Sequence, residues 1–191
     1  MSKKELSKKE FMRQYTGGAR IFTDIKMLNE DFSMMRLNKL VFFSSEFNNV
    51  KFDNATLRIS FKHCKVICCS FCEADIRKAQ FYYSDLRDTD FSHADLRHTD
   101  FSFTSLIDVS LNKANLVGAS FDRATWPLWC GAFDVQVDIE LINQLAYHIC
   151  SLKNKSKRYK EIKNFLAPYA NDWKGIRRHC LKKIEGNQNE R

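Results

Sequence analysis

The sequence predicts a mainly β repeat protein in which the chain turns once every five residues, and two observations indicate this fold class. The first is an apolar residue at every fifth position, in one run from Phe22 to Leu57 and a second from Phe61 to Trp126. Helices and straight strands have periods of about 3.6 and 2 residues, so neither keeps every fifth residue on one side. A chain with this period must therefore turn within each repeat.

The second observation concerns the residue two positions before each apolar centre. In the second run, from Ile59 to Ala124, this position holds only small or aliphatic side chains. Residues two apart lie on the same side of an extended segment, so each repeat is a very short strand with two inward residues. The residue between them is polar in repeats such as those of Asp75, Asp95 and Asn115, and it faces solvent.

The segments Ala74-Asp75-Ile76, Ala94-Asp95-Leu96 and Ala114-Asn115-Leu116 resemble the A(D/N)LXX unit of pentapeptide repeat proteins. The resemblance covers residues 20–126 and rests on about 22 successive units. It implies a right-handed quadrilateral β-helix, with one repeat on each side and four repeats in each coil. One residue is missing between Leu57 and Phe61, and the stacking has to absorb that slip.

Four repeats in each coil would stack every fourth centre into a column. The expected columns are Phe22, Phe42, Phe61, Phe81, Phe101, Phe121; Met27, Phe47, Val66, Leu86, Leu106, Trp126; Phe32, Phe52, Phe71, Phe91, Leu111; and Leu37, Leu57, Ile76, Leu96, Leu116. A coil of two repeats would alternate in the same way, so the columns are consistent with the implied geometry and do not prove it. With strands about 4.8 Å apart, about five coils would make a rod roughly 25 Å long.

The repeats stop after Trp126, where Pro127 and Gly131 mark a break. Apolar residues at helical spacing follow, and an open solenoid end exposes strand edges and apolar core. Residues 127–191 are therefore predicted to form an α-helical cap. Its helix around Ile139–Leu152 is a candidate for homodimer formation, because the family often dimerises through a terminal helix.

Residues 1–19 form a basic segment ahead of the solenoid. Ser2 with Glu5 and Ser7 with Glu10 resemble helix-start boxes, which predict a short helix, and a disordered tail is the alternative. Arg20 and Glu30 occupy inward positions that are small elsewhere, so the first coil is expected to depart from the pattern.

The formal net charge of +8 lies at the two ends of the chain. Residues 1–20 carry net +4, residues 127–191 carry net +5, and the middle is nearly neutral at net −1. The basic C-terminal tail could contact nucleic acid weakly and without sequence specificity, although a solvated helix surface is favoured. No apolar run is long enough to span a bilayer, and no apolar stretch follows the charged N-terminus, so we expect a cytoplasmic protein without a membrane role.

The densest cluster of potential metal ligands runs from His63 to Cys72. The repeat places Cys64 and Cys69 at inward positions on different sides, and Cys68 and Cys72 at outward turn positions. Because a tetrahedral site needs converging ligands, we expect buried small apolar side chains and no zinc. Seven cysteines, an odd number, also argue against a secreted disulfide scaffold.

The outward positions carry mixed charges that repeat from coil to coil. Asp75, Arg77, Asp95, Arg97 and His98 fall on one side, and a solvated surface of weak ion pairs is the favoured interpretation. No acid pair, Ser–His–Asp order or glycine loop is recognisable as catalytic. The sequence therefore predicts neither an enzyme nor a cofactor or metal site.

One side of the predicted solenoid carries outward aromatic residues, which are Phe43, Tyr82, Tyr83 and Phe103, with the basic Arg123, Lys62 and His63 beside them. Exposed aromatics with basic neighbours are typical of interaction surfaces. The alternative is that they shield the turns or contact the N-terminal segment. The sequence thus predicts a non-enzymatic protein that presents a rigid surface to a protein partner of unknown identity.

The family resemblance implies a second function. Some pentapeptide repeat proteins resemble duplex DNA in shape and charge, bind topoisomerases such as DNA gyrase, and protect them from quinolones or toxins. Such mimicry needs an acidic rod, because duplex DNA is densely negative, and the near-neutral charge weakens this alternative. A candidate acidic strip is formed by Asp85, Asp88, Asp90, Asp100 and Asp108.

Overall fold

The protein is described by a computed structural model. The described residues are 3–125, 141–143, 146, 160, 163–165 and 167–168. The chain divides into two compact units, Met1–Val137 and Asp138–Arg191. The described residues of the second unit are helical. Pro127, Gly131, most of the proposed dimerisation helix and most of the basic tail lie outside the described residues.

The first unit is a parallel-strand solenoid of about five coils. One sheet contains β1 (Lys4–Glu5), β3 (Ile25–Leu28), β5 (Glu46–Asn48), β7 (Lys65–Ile67), β8 (Asp85–Arg87) and β9 (Ser105–Ile107). A second sheet contains β2 (Ile21–Thr23), β4 (Arg36–Phe43) and β6 (Thr56–Lys62). Isolated parallel bridges continue the same stacking elsewhere. None of the helices among the described residues combines the length and the hydropathy of a membrane-spanning segment.

The strand register confirms that each coil contains four repeats. Leu86 pairs with Leu106, twenty residues later in the chain, and the bridge between Asp75 and Asp95 has the same spacing. The four sides are numbered here in chain order as faces 1 to 4, and their centre columns begin at Phe22, Met27, Phe32 and Leu37. The members of these columns are those expected from the sequence, except that Trp126 lies outside the described residues.

The missing residue is absorbed between β4 and β6. Leu37 pairs with Leu57 and Phe42 with Phe61, and the register shifts between Asn38 and Leu40. Lys39 is therefore the extra residue of a β-bulge, with φ of 59°. The missing residue therefore leaves the centre columns of face 1 and face 4 intact.

The core of the solenoid contains two opposite stacks of phenylalanine rings. On face 1, the ring of Phe81 stacks on Phe61 and on Phe101, both at 5.1 Å between centroids. On face 3, Phe71 and Phe91 stack at 4.8 Å. The two stacks also meet, because Phe81 contacts Phe91 edge-on at 5.7 Å. Offset stacking and edge contacts are the favoured arrangements of aromatic rings, so each added coil extends the same packing.

Small polar residues at inward positions bond to the backbone of a neighbouring coil. Thr89 and Thr99 each donate their hydroxyl at 3.2 Å, to the carbonyls of Val66 and Ile76. Ser84 donates to the Phe61 carbonyl and accepts from the Cys64 N–H, both at 3.1 Å. These bonds satisfy hydroxyl groups that would otherwise be buried without a partner.

The residue before each centre has a specific role in the turn. The Asp90 and Asp100 carboxylates each accept the backbone N–H two residues onward, at 2.8 Å. Asn115 does the same at 3.2 Å. Side chains of this kind stabilise a turn by standing in for a backbone carbonyl, which explains why aspartate or asparagine recurs at this position.

Each repeat ends in a corner residue with left-handed backbone, two positions after the centre. From Asp24 to Arg123 the φ values of the non-glycine corner residues lie between 48° and 62°. The repeat centred on Leu57 is one residue shorter and has no such corner. In the repeat centred on Leu116, the corner residue is Gly118, with φ of 72°. Asparagine, aspartate and glycine tolerate this conformation best, while bulky side chains are uncommon in it.

The N-terminal segment packs against the first coil. β1 pairs with β3 in parallel, so the predicted start box at Ser2 and Glu5 is wrong, since Glu5 belongs to a strand. Helix α1 (Lys8–Thr16) begins at Ser7, whose hydroxyl accepts the Glu10 N–H. Phe11 of this helix is 1 % exposed.

Phe11 fills the open end of the solenoid core. Its ring lies 4.9 Å from Phe22, 5.4 Å from Phe32 and 6.0 Å from Phe42. It therefore continues the aromatic packing one layer beyond the first coil. The inward positions of Arg20 and Glu30 are not buried, which is consistent with this end being closed by the helix.

We expect Phe81→Ala to lower the free energy of unfolding by about 3–5 kcal/mol, because it removes a ring that contacts both stacks and leaves a cavity. Chemical denaturation monitored by far-ultraviolet circular dichroism measures the change. Met34→Ala is the control, since Met34 is 81 % exposed and should alter stability by no more than about 0.5 kcal/mol. Similar losses for both variants would contradict the central role of the stacks.

We expect Phe11→Ala to loosen the first coil selectively, since coils contact only their neighbours. In native-state hydrogen exchange, the Phe32 amide should lose protection while the Phe91 amide keeps it. Met12→Ala, on the same helix, should change neither. Equal loss of protection at both amides would show that Phe11 supports the whole solenoid and does not act as a local cap.

Candidate interaction surface

The structure brings the predicted aromatic residues together at the corner that follows face 1. His63, Tyr83, Phe103 and Arg123 occupy this corner in four successive coils, each with left-handed backbone. The rings of His63 and Tyr83 stack at 5.2 Å, and those of Tyr83 and Phe103 lie 4.8 Å apart. The Arg123 guanidinium lies 5.3 Å from the Phe103 ring, within cation–π distance.

Two further aromatic residues flank this column, one position earlier in their repeats. Tyr82 contacts Tyr83 at 4.5 Å and Phe103 at 5.4 Å, both edge-on. Phe43 contacts His63 edge-on at 5.3 Å. Together, Phe43, His63, Tyr82, Tyr83, Phe103 and Arg123 form a continuous surface, which is called the aromatic ladder below.

The aromatic ladder faces solvent. Phe43 is 42 % exposed and Tyr83 is 46 % exposed, while Tyr82 and Phe103 are half-buried. Partial burial, with a contribution from the neighbouring Tyr83, raises the pKa of the Tyr82 hydroxyl. Among residues 3–125, the ring contacts of the ladder are made within the ladder itself. No ring or cation–π contact joins the ladder to the N-terminal segment among these residues.

The turns do not need these aromatic side chains. The backbone N–H groups of His63, Tyr83 and Phe103 bond to carbonyls of the next coil at 3.1, 3.4 and 2.8 Å. Any residue that tolerates left-handed backbone would keep those bonds, and asparagine would adopt the conformation more readily than tyrosine or phenylalanine. The corner geometry therefore does not account for the aromatic residues found there.

The candidate acidic strip is divided between faces. Asp88 and Asp108 are neighbours at the corner after face 2, with Asp85 and Asp90 on either side of it. Asp100 instead lies on face 1, where it bridges to Gln80 and Ser120, so it does not join the other four. The register explains this separation. Equivalent positions in these neighbouring coils are twenty residues apart, whereas Asp100 is twelve residues after Asp88 and eight residues before Asp108.

The acidic residues of the strip are also partly engaged. Asp85 pairs with Arg87 at 2.8 Å, and Asp90 accepts a backbone N–H of its own turn. The most acidic side is face 3, whose four acidic and two basic outward residues give net −2. These are Asp31, Asp53, Glu73, Asp90, Lys51 and Lys113. The described solenoid thus has an acidic corner and no continuous acidic face.

The cysteine cluster does not converge. Cys64 and Cys69 are buried, and burial raises the pKa of each thiol to about 11. Cys68 is exposed at a corner, and the pKa of the half-buried Cys72 is raised by desolvation and by nearby carboxylates. Within the described residues, no group of three or more histidine, cysteine, aspartate or glutamate side chains could hold a metal ion.

Face 4 carries an ion-pair ladder at positions where the sequence predicts weak surface ion pairs. Arg58 and Arg77 both bind Asp75, at 3.0 and 2.7 Å. Arg77 also lies 3.5 Å from Asp95, which binds Arg97 at 2.6 Å. The Arg77 guanidinium, followed by that of Arg58, holds the pKa of Asp75 well below its usual range, and Arg97 lowers the pKa of Asp95.

Comparisons with known proteins agree on the repeat. Residues 59–92 and 84–123 match the family model for pentapeptide repeats, with eight copies. No curated protein matches the sequence. Similar solved structures include a pentapeptide repeat protein from the thylakoid lumen of Arabidopsis thaliana, with a TM-score of 0.31 and 20 % identity over 72 % of this chain and 89 % of that chain.

Two other similar structures are of proteins involved in drug resistance and in the regulation of cell differentiation. Trypsin-treated QnrB1, a plasmid-mediated fluoroquinolone resistance protein, has a TM-score of 0.30 and 14 % identity over 71 % of this chain and 90 % of that chain. HetL is a pentapeptide repeat protein involved in heterocyst differentiation regulation in the cyanobacterium Nostoc sp. strain PCC 7120. Its structure has a TM-score of 0.21 and 14 % identity over 69 % of this chain and 94 % of that chain. These TM-scores are too low for the structures to bear on the function of the chain.

We expect the ladder of face 4 to make stability fall at acid pH. The pKa values of Asp75 and Asp95 are lowered by folding, so the unfolded chain takes up these protons more readily. The stability they supply is present above the ordinary carboxyl pKa of about 4 and is lost as the pH falls below it. Denaturation midpoints measured between pH 7 and pH 2 should therefore decline less steeply for Asp75→Asn/Asp95→Asn. Asp88→Asn, outside the ladder, is the control, and identical acid profiles for all three proteins would contradict the assignment.

Proposed function

The chain carries a domain of the pentapeptide repeat family, and from this premise we propose that it is a non-enzymatic interaction protein whose aromatic ladder binds a protein partner. The observation that carries the proposal is a run of aromatic side chains at corners where the turn gains nothing from them. Corner positions on the other faces include Asn29, Asn49 and Asn54, which suit the left-handed backbone, and none of the described corners there holds tyrosine or phenylalanine.

The composition of the aromatic ladder suits binding to protein. Tyrosine and phenylalanine offer large contact areas with few rotatable bonds, and aromatic residues are enriched where binding energy concentrates. The rings already contact one another at 4.5–5.4 Å, so little side-chain freedom would be lost on binding. Exposed apolar surface of this kind is a common mark of an interaction site.

The charges beside the ladder indicate the chemistry of the partner. Arg123 and Lys62 lie at or next to the aromatic corner, and His63 is part of the column itself. Charged groups at the rim of an interface direct association more than they add affinity. Asp100 and Asp122 offset these basic residues, since both lie close enough to Tyr82 to help raise its pKa. The proposed partner therefore presents an apolar patch with a border of mixed charge.

A second candidate function is binding to a topoisomerase such as DNA gyrase. The observation that favours it is the acidic corner with Asp88 and Asp108. Mimicry of duplex DNA calls for negative charge along a whole side of the rod, and the most acidic face has net −2. We therefore rank this function below the aromatic-ladder proposal.

The first proposal predicts that Tyr83→Asn/Phe103→Asn weakens partner binding at least about thirtyfold, the loss expected for an interface centre worth about 2 kcal/mol. Asparagine keeps the left-handed corners, so the melting temperature should not fall. A partner captured from the source organism would be purified and its affinity measured by calorimetry. Lys113→Asn is the matched control, since Lys113 is an exposed corner with φ of 56°.

Unchanged affinity of the double variant would overturn the aromatic ladder as the binding surface, and a large drop in melting temperature would assign the rings to structure.

The second candidate function is tested by titrating the protein into a gyrase supercoiling assay with and without a quinolone. Asp88→Lys/Asp108→Lys should abolish any effect there, while Tyr83→Asn/Phe103→Asn should not.

A further inference from the structure

Face 4 is the basic side of an otherwise neutral solenoid. Its outward and corner positions carry six basic residues and two carboxylates, which gives net +4 on this face. The basic residues are Arg36, Lys39, Arg58, Arg77, Lys78 and Arg97, and the carboxylates are Asp75 and Asp95. The other faces are each slightly negative, so this concentration of positive charge belongs to face 4 alone among the described coils.

The two carboxylates hold the arginines in place and leave part of each guanidinium free. Arg77 donates its Nε and Nη2 to Asp75 at 2.8 and 2.7 Å. Arg97 donates the same two nitrogens to Asp95 at 2.8 and 2.6 Å. Within residues 3–125, the Nη1 groups of Arg77 and Arg97 donate no hydrogen bond. Guanidinium groups fixed in this way lose little rotamer freedom when they bind an anion.

Lys78 and His98 complete the site from the corner that follows face 4. They occupy equivalent left-handed positions in adjacent coils, with φ of 62° and 59°. Neither has an ion-pair partner in the described part of the chain. The next corner is Gly118, and a Cβ there would collide with the His98 ring, so this glycine makes room for the imidazole.

These residues line one concave site. Arg58, Arg77, Lys78, Arg97 and His98 line an open groove of about 320 Å³. The side chains of Arg77 and Arg97 are 40 % and 41 % exposed, so a ligand can reach both from solvent. The volume is at the lower end of the range for small-molecule sites, which begins at about 300 Å³.

We propose that this groove on face 4 binds a small polyvalent phosphate, such as the phosphate chain of an organic triphosphate or inorganic tripolyphosphate. A monocarboxylate would neutralise only one of the excess positive charges. A chain of phosphates offers several charged acceptor oxygens, which match two planar guanidinium groups and a lysine ammonium in adjacent coils.

The groove is separate from the aromatic ladder, which lies at the corner between faces 1 and 2. The proposal therefore goes beyond the proposed partner binding, and either can fail without the other. Lys78→Asn and His98→Asn keep residues that tolerate left-handed backbone, so they remove ligand contacts with little effect on the fold.

The test is isothermal titration of the whole protein with inorganic tripolyphosphate at constant ionic strength. The wild type should bind it, and Lys78→Asn/His98→Asn should raise the dissociation constant by about tenfold or more, as expected for lost charged hydrogen bonds. Lys65→Gln is the control, because it removes one positive charge from face 2, on the opposite side, and should leave the affinity unchanged.

Three outcomes would overturn the proposal. The first is that the wild type does not bind tripolyphosphate. The second is that Lys65→Gln weakens tripolyphosphate binding as much as the double variant does, which would indicate non-specific attraction. The third is that a single-stranded oligonucleotide binds the same groove more tightly than tripolyphosphate does. Lys78→Glu provides a second variant should the double variant melt early. It should weaken tripolyphosphate binding more than Lys78→Asn, and an unchanged affinity would again overturn the proposal.

Discussion

Parallel backbone hydrogen bonding between successive coils is the constraint on which the rest of the structure depends. In each coil the N–H of a centre residue bonds to the next coil, as from Phe71 to Asp90 at 2.7 Å and from Phe91 to Ser110 at 2.8 Å. This pairing sets a rise of about 4.8 Å. Aromatic rings stack favourably at nearly the same separation, so the Phe columns and the backbone reinforce a single geometry. The bulge at Lys39 preserves this geometry where the sequence loses a residue.

The same constraint turns surface residues into ladders. A side chain at a given position of one coil lies directly beside its equivalent in the next, so like chemistry accumulates along a face. On the corner after face 1 this produces aligned rings, and on face 4 it produces alternating guanidinium and carboxylate groups. A rigid backbone fixes both surfaces before any ligand arrives, and pre-organised groups lose less entropy on binding. Two chemically different sites can therefore share one short rod.

Much of the fold could be predicted from the sequence, because the five-residue period and the centre columns depend on local spacing. The outward placement of Tyr82, Tyr83 and Phe103 on one side was predicted for the same reason. The left-handed corners were not predicted, since a period reveals that a turn exists but not its φ angles. The groove on face 4 was also missed. Its residues appeared to form ordinary surface ion pairs, and only coordinates reveal which guanidinium edges remain free beside Lys78 and His98.

The sequence by itself determined the repeat, the inward and outward positions, and the neutrality of the solenoid, because each follows from the identity and spacing of neighbouring residues. The tertiary structure decided how distant residues combine. It separated Asp100 from the other acidic residues, placed Phe11 over the first coil, and gathered Arg58, Arg77 and Arg97 around one groove. These outcomes depend on the register between coils and on side-chain direction, which are set by packing over distances of twenty residues or more.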